Sequence, residues 1–200
     1  MLKSTWDHPI TFWALLSLPT IPMTLGLTSG TPDAVKTLLH PTGEFAARFM
    51  IIAMMITPLM MLFRDASWPR WLMKRRRYLG VAAFFYALVH TVLYLIDEGA
   101  IAFTGDEVSK LYIWTGWIAF LIFVPLAVTS TDAWVRRLGR SWKKLQQFVY
   151  AAAILTLIHW AALHDWGGVG AALVHFAPLV ALEVYRLWST QQRRRQRAMT

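Results

Sequence analysis

The chain has 200 residues, of which 56% are hydrophobic and only 16% are charged, and its mean hydropathy is +0.43. Apolar stretches of about 18 residues or more recur along it, a pattern typical of proteins that cross a membrane several times. Because the sequence contains no cysteine, disulfides, iron–sulfur clusters and thiolate ligation of a metal are excluded together. The net charge of +9 would suit nucleic acid or anionic lipid, and its distribution along the chain favours lipid and not nucleic acid.

Six apolar segments predict an all-α, polytopic membrane protein built as a six-transmembrane-helix bundle. In chain order they cover residues 9–28, 45–63, 78–96, 111–129, 146–163 and 168–188. Four of them contain proline, at Pro19 and Pro22, Pro58, Pro125 and Pro178. Proline is tolerated in such helices where neighbouring helices satisfy the freed carbonyl groups. The connections are short, so we expect the whole chain, 1–200, to form a single domain.

The lysine and arginine residues predict which face of the bundle lies in the cytoplasm. Of the 20, all but Lys36, Arg48 and Lys110 fall on one side. That side receives Lys3 and the basic groups within residues 64–77, 136–144 and 186–197. Since basic loops are retained in the cytoplasm, both termini are expected there. We interpret these loops as binding anionic lipid headgroups, with docking of an acidic cytosolic protein as the alternative.

Two histidines are predicted to lie at the same depth in the membrane. His90 follows the start of the third segment by 12 residues, and His159 follows the start of the fifth by 13. At about 1.5 Å per residue, both imidazoles lie roughly 18–20 Å from the cytoplasmic face. An imidazole at that depth requires a partner, and two of them on neighbouring helices suit the axial positions of a haem iron. The alternative is a pair of ordinary interhelical hydrogen bonds.

Small residues flank both histidines on the same helix faces. Ala83 and Ala87 precede His90 by seven and three residues, and Ala152 precedes His159 by seven. Such residues either let two helices approach closely or leave room for a flat macrocycle between them. The three alanines are therefore candidate cofactor-binding residues.

Arg48 lies just inside the outer end of the second segment. A haem at the depth of the two histidines would direct its propionates outward, and a guanidinium pairs well with carboxylate. Alternatively, Arg48 pairs with Glu44, four residues before it on the same helix. Both interpretations stay open at this point.

The sequence contains no nucleotide-binding signature. Gly168 and Gly170 open a predicted membrane helix and lack the third glycine of a dinucleotide-binding loop. Without such a site the chain cannot take hydride from a nicotinamide nucleotide by itself. We therefore expect it to receive electrons from quinol or from another protein.

The sequence resembles the YedZ/MsrQ family, the haem-binding membrane subunits of a bacterial methionine sulfoxide reductase system, within the wider ferric-reductase-like transmembrane group. The similarity is distributed in order along nearly the whole chain. Its principal motifs are HPTGEFAARF at 40–49, ITPL at 56–59, RRRYLG at 75–80, TST at 129–131, residues 138–145, FVY at 148–150, and Ile158 with His159.

The resemblance implies a b-type haem in a six-helix domain of the bacterial inner membrane. It also implies an association with FMN and electron delivery to a periplasmic molybdenum reductase that repairs oxidised methionine. His90 and His159 match two of the family's ligand positions. The departure is Gln146, which stands where the family has histidine, while Arg76 occupies the corresponding inner position before His90. The resemblance therefore supports one haem per chain and not two.

The function expected from the sequence is electron transfer through one haem b held by His90 and His159. The donor would be quinol or a flavin reductase, and the acceptor a periplasmic or membrane redox protein. One alternative is an accessory subunit of a larger complex in which the haem is structural or absent. Another is a small permease that uses its histidines as proton relays.

Overall fold

The structure is a computed structural model that describes residues 8–28, 30–31, 33–99 and 109–199. Lys3, assigned above to the cytoplasmic face, lies outside them. The described residues form helices and connecting turns only, which confirms the all-α prediction. The helices are α1 (Pro9–Ser17), α2 (Thr20–Thr28), α3 (Ala34–Leu62), α4 (Trp68–Glu98), α5 (Leu111–Val128), α6 (Asp132–Leu138), α7 (Arg140–Gln146), α8 (Val149–Ala161), α9 (Leu163–Trp166) and α10 (Val169–Met199).

Four of these helices, α3, α4, α5 and α10, are long and apolar enough to cross a membrane. A fifth candidate is the bent pair α1 and α2, which meet at 44° across the Leu18–Pro19 break. The protein is therefore a multi-pass membrane protein. The predicted segment 146–163 corresponds to α8, whose 13 residues extend only about 20 Å, less than a bilayer core of about 30 Å. Six crossings and the orientation of the termini accordingly stay predictions.

Helix α3 begins earlier than the sequence predicts. Residues 40–44 were expected in an outer loop, but the helix already starts at Ala34 and continues through Pro41. The hydroxyl of Thr42 donates to the carbonyl oxygens of Leu38 and Leu39, at 2.7 and 2.9 Å. These bonds occupy carbonyl groups near the point where proline cannot donate. His40 and Glu44 consequently lie on one helix together with Arg48.

Five helices share one packed core. Helix α3 lies along α4, α5 lies along α8, and α10 contacts both α3 and α8. The core contains Met50 of α3, Ala83 of α4, Phe123 of α5, Ala152 of α8 and Phe176 of α10, all buried. Small residues at these crossings let the helices approach closely, as is usual inside membranes. Through α3 and α5, this packing fixes the relative position of α4 and α8, the two helices that carry His90 and His159.

The connection between α8 and α10 is a strained turn. His164, Asp165 and Trp166 have φ of +53°, +53° and +71°, in the left-handed region that non-glycine residues rarely adopt. Gly168 is required directly after it, because a Cβ atom there would lie 2.0 Å from the carbonyl oxygen of Trp160. Strain of this kind concentrates near functional sites, and His164 indeed lines the cavity described next.

Candidate cofactor site

A cavity of about 470 Å³ lies between α3, α4, α5 and α8, within the usual range of about 300–1,000 Å³ for ligand pockets. Its walls are mostly apolar and include Ala87, Ile113, Phe120, Phe123, Trp160 and Leu163. Polar groups enter it at a few points, at Lys36, His40, Glu44, His90, Thr91, Asp97, Glu98, His159 and His164. An apolar cavity with a few convergent polar groups is typical of a cofactor site.

His90 enters this cavity in a fixed orientation. Its Nδ1 lies 2.9 Å from the carbonyl oxygen of Leu39 and 3.4 Å from the hydroxyl oxygen of Thr42, both on α3. Because a carbonyl oxygen can only accept, Nδ1 must carry the proton and donate it. The lone pair is then on Nε2, so that nitrogen is the one available to a metal.

His159 repeats the arrangement on the other side of the cavity. Its Nδ1 lies 2.6 Å from the carbonyl oxygen of Tyr112 on α5, so the same argument places its lone pair on Nε2. Metal-ligating histidines almost always donate their second ring nitrogen to a carbonyl or carboxylate, which fixes the tautomer and the ring orientation. Both imidazoles therefore have the supporting bond that a ligand histidine requires.

The two rings are spaced as a six-coordinate iron would require. Their centroids lie 6.1 Å apart and their planes are inclined at 86°. Two imidazoles on opposite sides of one metal ion would have centroids about 6 Å apart, since each metal–nitrogen bond is about 2 Å and each ring centre lies about 1 Å beyond its nitrogen. The residues present thus fit a haem with two axial histidines.

Two glycines, which sequence reasoning missed, make room for the histidines. A Cβ atom on Gly116 of α5 would lie 2.7 Å from Nδ1 of His159, and one on Gly43 of α3 would lie 3.1 Å from the ring of His90. Each glycine faces a histidine on a neighbouring helix, so no spacing within one segment could have identified it. The only sequence signal is that each falls inside an apolar segment or next to one.

The three predicted alanines occupy different places. Ala87 lines the cavity, as expected for a residue one turn before His90. Ala83 and Ala152 instead lie in the packed core between helices, and Ala152 has no exposed surface. Each lies two turns before its histidine, about 10 Å closer to the predicted cytoplasmic face, and so falls beyond the end of the cavity.

Arg48 makes the local contact that the sequence left open. Its guanidinium binds the carboxylate of Glu44, and its Nε donates to Nε2 of His175 on α10 at 3.3 Å. Glu44 and Lys36 line the cavity, whereas Arg48 is not among its lining residues. A role of Arg48 toward haem propionates stays a prediction, and the structure connects Arg48 to the cavity through Glu44.

The inner position, where a second haem would lie, is closely packed. The cavity there measures only about 50 Å³ and is lined by Gly80, Ala83, Phe123 and Gln146 among others. The amide nitrogen of Gln146 donates to the carbonyl oxygen of Leu126 at 3.1 Å. No group of three or more His, Asp or Glu side chains suited to a metal ion occurs in the described residues.

The sequence is similar to one known family over most of its length. Residues 42–157 match the ferric reductase like transmembrane component. The protein-methionine-sulfoxide reductase heme-binding subunit MsrQ of Xanthomonas oryzae pv. oryzae is 36% identical over 171 residues, which cover 83% of this chain and 75% of that protein. The subunits of the same name from Xanthomonas campestris pv. campestris and Rhizobium meliloti are 37% and 36% identical. They cover 82% and 77% of this chain, and 74% and 73% of their own lengths.

These matches confirm the resemblance stated from the motifs. The matched range contains both His90 and Gly116 and ends at Leu157, two residues before His159. The chain belongs to the ferric-reductase-like transmembrane family, and within it to the MsrQ proteins.

Proposed function

We propose that the chain is a haem-binding electron-transfer subunit and that Nε2 of His90 and Nε2 of His159 are the two axial ligands of one b-type haem. The observation that carries this proposal is the pair of imidazoles whose centroids lie 6.1 Å apart, each with Nδ1 held by a backbone carbonyl. The similarity to MsrQ proteins, which are named heme-binding subunits, supports it.

A haem held by two histidines supplies reversible one-electron transfer. The chain's own contribution is to hold and orient it. The carbonyls of Leu39 and Tyr112 fix the imidazoles, Ala87 and Gly116 provide space, and the apolar walls exclude water. Exclusion of water and bonds to the ligand histidines are among the means by which a protein sets a redox potential.

We propose that the electron acceptor is the catalytic subunit of a methionine sulfoxide reductase on the outer side of the membrane. The relatives are named as subunits of a protein-methionine-sulfoxide reductase, which supports this class of partner. The cavity ends in polar and charged residues, including Lys36, Asp97 and Glu98. In the predicted orientation these residues face outward, so that a docked partner would meet the cavity there.

For the donor, we propose quinol from the bilayer, with a cytosolic flavin reductase or bound FMN as the alternative. A flavin on the cytoplasmic side would have to pass electrons across the closely packed region around Gln146. The cavity lies in the opposite, outer half, where a lipid-soluble donor has a shorter path to it.

The proposed topology is a single domain of six membrane crossings in the bacterial inner membrane, with both termini in the cytoplasm. The basic residues of α6 and α7, which follow α5 in the chain, and those of the C-terminal run after Thr190, at the end of α10, are exposed. Basic residues concentrated on one face support a cytoplasmic location for that face.

The proposal is tested by visible spectroscopy of the purified protein in nanodiscs. We expect a Soret band, and sharp α and β bands on reduction, as for a low-spin haem with two histidines. Reoxidation on addition of a methionine sulfoxide reductase catalytic subunit and its substrate would support the assigned direction of electron flow. A purified, folded protein without a Soret band after haem supplementation would refute the proposal and favour an accessory subunit without haem.

A further inference from the structure

Four polar side chains form a cluster at one wall of the cavity, here named the outer cluster: His40, Glu44 and Arg48 of α3, and His175 of α10. One carboxylate oxygen of Glu44 binds Arg48 and lies 3.4 Å from Nε2 of His175. The other lies 3.9 Å from Nε2 of His40. Charged groups inside a membrane bundle are costly and usually functional, and haem ligation does not require any of these four.

One oxygen of the Glu44 carboxylate is not bonded to Arg48. Nδ1 of His175 lies 2.8 Å from the carbonyl oxygen of Ala171 and therefore donates to it. Nε2 of His175 then accepts from Nε of Arg48, and the same guanidinium binds Oε1 of Glu44. Arg48 thus bridges the imidazole and the carboxylate, while Oε2 of Glu44 lies 3.9 Å from Nε2 of His40.

In the predicted topology the outer cluster lies between the cavity and the outer aqueous phase. The side chain of Glu44 is 19% exposed and lines the cavity, while that of His40 is 64% exposed. A proton received by Glu44 can therefore leave through His40 toward the outer aqueous phase. The ring of Trp160 lies beside both histidines of the cluster, with its centroid 4.7 Å from that of His175 and 6.4 Å from that of His40.

An electron donor that is itself a protein brings no protons into the membrane, whereas a hydroquinone must release one proton with each electron. The Glu44 carboxylate lies at the wall of the haem cavity with one oxygen not bonded to Arg48, and it suits the second kind of donor because it can accept that proton. The surface beside His175 is apolar and exposed, with Val174 at 73% and Leu173 at 56%. A lipid-soluble molecule can approach the outer cluster from the bilayer along this surface.

We propose that the outer cluster is the hydroquinone-oxidation site and that Glu44 is its proton acceptor. The proposal rests on the function proposed above and assigns its donor site. His175 and Arg48 position the Glu44 carboxylate, and His40 passes the proton outward.

The reaction balances over two turns. In each turn one electron passes from the hydroquinone to the ferric haem iron, and one hydroxyl proton passes to the carboxylate of Glu44. After the electron has gone on to the acceptor protein and the proton to the outer phase, the second turn removes the remaining electron and proton. The products are one quinone, two electrons delivered to the acceptor protein and two protons released outside. General bases of this kind contribute about 10²- to 10⁴-fold to a rate.

Other titratable groups also face this region, so a measured pH profile contains their contributions as well as that of Glu44. Lys36 of α3, Asp97 and Glu98 of α4 and His164 of α9 line the same cavity, and α8 contributes His159. Their titration alters the rate in the wild type and in variants alike. Only the part of the pH profile that disappears with the Glu44 carboxylate is assigned to the outer cluster.

The test uses the haem-loaded protein in nanodiscs, with decylubiquinol as the donor. We compare Glu44→Gln with Glu183→Gln, the matched control. Glu183 is 16% exposed, pairs with Arg186 at 2.7 Å, and lies two turns further along α10, about 12 Å away from His175. Glu44→Gln is expected to slow haem reduction by decylubiquinol by about 10²-fold or more and to flatten its pH profile. Reduction by dithionite should stay unchanged, and Glu183→Gln should behave as the wild type.

Binding is measured separately from electron transfer. Dithionite-reduced protein cannot oxidise the donor, so calorimetry reports binding of decylubiquinol alone. Loss of the carboxylate acceptor should weaken binding by about tenfold or more. If Glu44→Gln loses haem, His175→Phe is measured in its place, because this variant keeps an aromatic ring beside Trp160 but lacks Nε2. It is expected to retain haem, slow reduction by decylubiquinol and shift its pH profile.

Three results would overturn the assignment. One is a wild-type protein that contains haem, yet neither binds decylubiquinol nor is reduced by it; the proposed haem function would survive that result. Another is an equal loss of rate in Glu44→Gln and Glu183→Gln. The last is an unchanged pH profile in whichever of Glu44→Gln and His175→Phe retains haem.

Discussion

Gly116 and His159 are so close that a Cβ atom on the glycine would lie 2.7 Å from Nδ1 of the imidazole, nearer than side chains normally approach. The same nitrogen bonds the carbonyl of Tyr112, one turn earlier on α5. One turn of α5 therefore fixes the tautomer of His159 and also determines how closely its ring can approach the backbone of α5. Gly43 and Leu39 of α3 repeat this relationship with His90.

We predict that Gly116→Ala weakens haem binding on the order of 10- to 100-fold, as loss of a ligand's supporting contact usually does. The added methyl group must displace His159, which breaks its bond to Tyr112 or moves Nε2 away from the iron. Haem retained per protein, measured by pyridine haemochrome after dilution into haem-free nanodiscs, reports the change. Gly80→Ala is the control, because a Cβ atom there meets nothing within 4 Å. Equal haem retention in both variants would contradict the packing argument.

We also predict that His90→Ala and His159→Ala each remove most of the bound haem while the protein still inserts. Each variant removes one of two ligands, and a single imidazole holds haem weakly. His8→Ala is the control, since His8 caps α1 and its Nδ1 accepts from the backbone of Ile10. Haem content and size-exclusion profile are measured together. If both variants kept normal haem content, His164 and His175 would become the candidate ligands.

A common level for His90 and His159 was predictable from the sequence because depth along a helix is a one-dimensional quantity. A count of residues from the membrane face and a rise per residue are sufficient to place both rings at one level. The rotation of α3 and α5 about their axes is not determined in this way. Leu39 and Tyr112, which hold the rings, and the two glycines could therefore not be identified before the helices were packed.

The outer end of α3 is a second feature that could not be predicted from the sequence. The residues from His40 to Glu44 precede the predicted second segment, 45–63, and were therefore expected in an outer loop. The helix continues through it, since Thr42 bonds the carbonyls of the preceding turn and proline is tolerated inside a bundle. Glu44 was therefore considered only as a partner of Arg48, and its position at the cavity wall was missed.

The predicted topology can be measured directly because the chain contains no cysteine. We predict that single cysteines in Ala133→Cys and Gln192→Cys react only with reagents that reach the cytoplasm, and that Asp33→Cys reacts from the outside. All three positions are exposed and lie outside the apolar segments. If Asp33→Cys and Gln192→Cys were labelled from the same side, at least one of the five segments between them would not cross the membrane and the count of six would be wrong.

The last prediction concerns stoichiometry: one b haem per chain, in the outer half of the bilayer. A second haem would require ligands about 20 Å inward of His90 and His159, at Arg76 and Gln146. A guanidinium stays protonated and offers no lone pair, and Arg76 is directed at the hydroxyl of Thr57 at 3.4 Å. The Gln146 amide is bonded to Leu126.

The cavity at the inner position measures about 50 Å³, roughly a tenth of the outer one, and is too small for a porphyrin. Its size therefore also supports one haem per chain. Gln146→His alone should therefore not raise the haem content, since it supplies one ligand without a partner or a pocket. We expect a haem-to-protein ratio near one in the wild type and in this variant, by pyridine haemochrome against amino-acid analysis. A ratio near two in the wild type would require a second pocket opened by movement of α5 away from α4. A ratio of two in Gln146→His alone would mean that the imidazole itself opens that pocket, and that packing around the amide is what limits the natural chain to one haem.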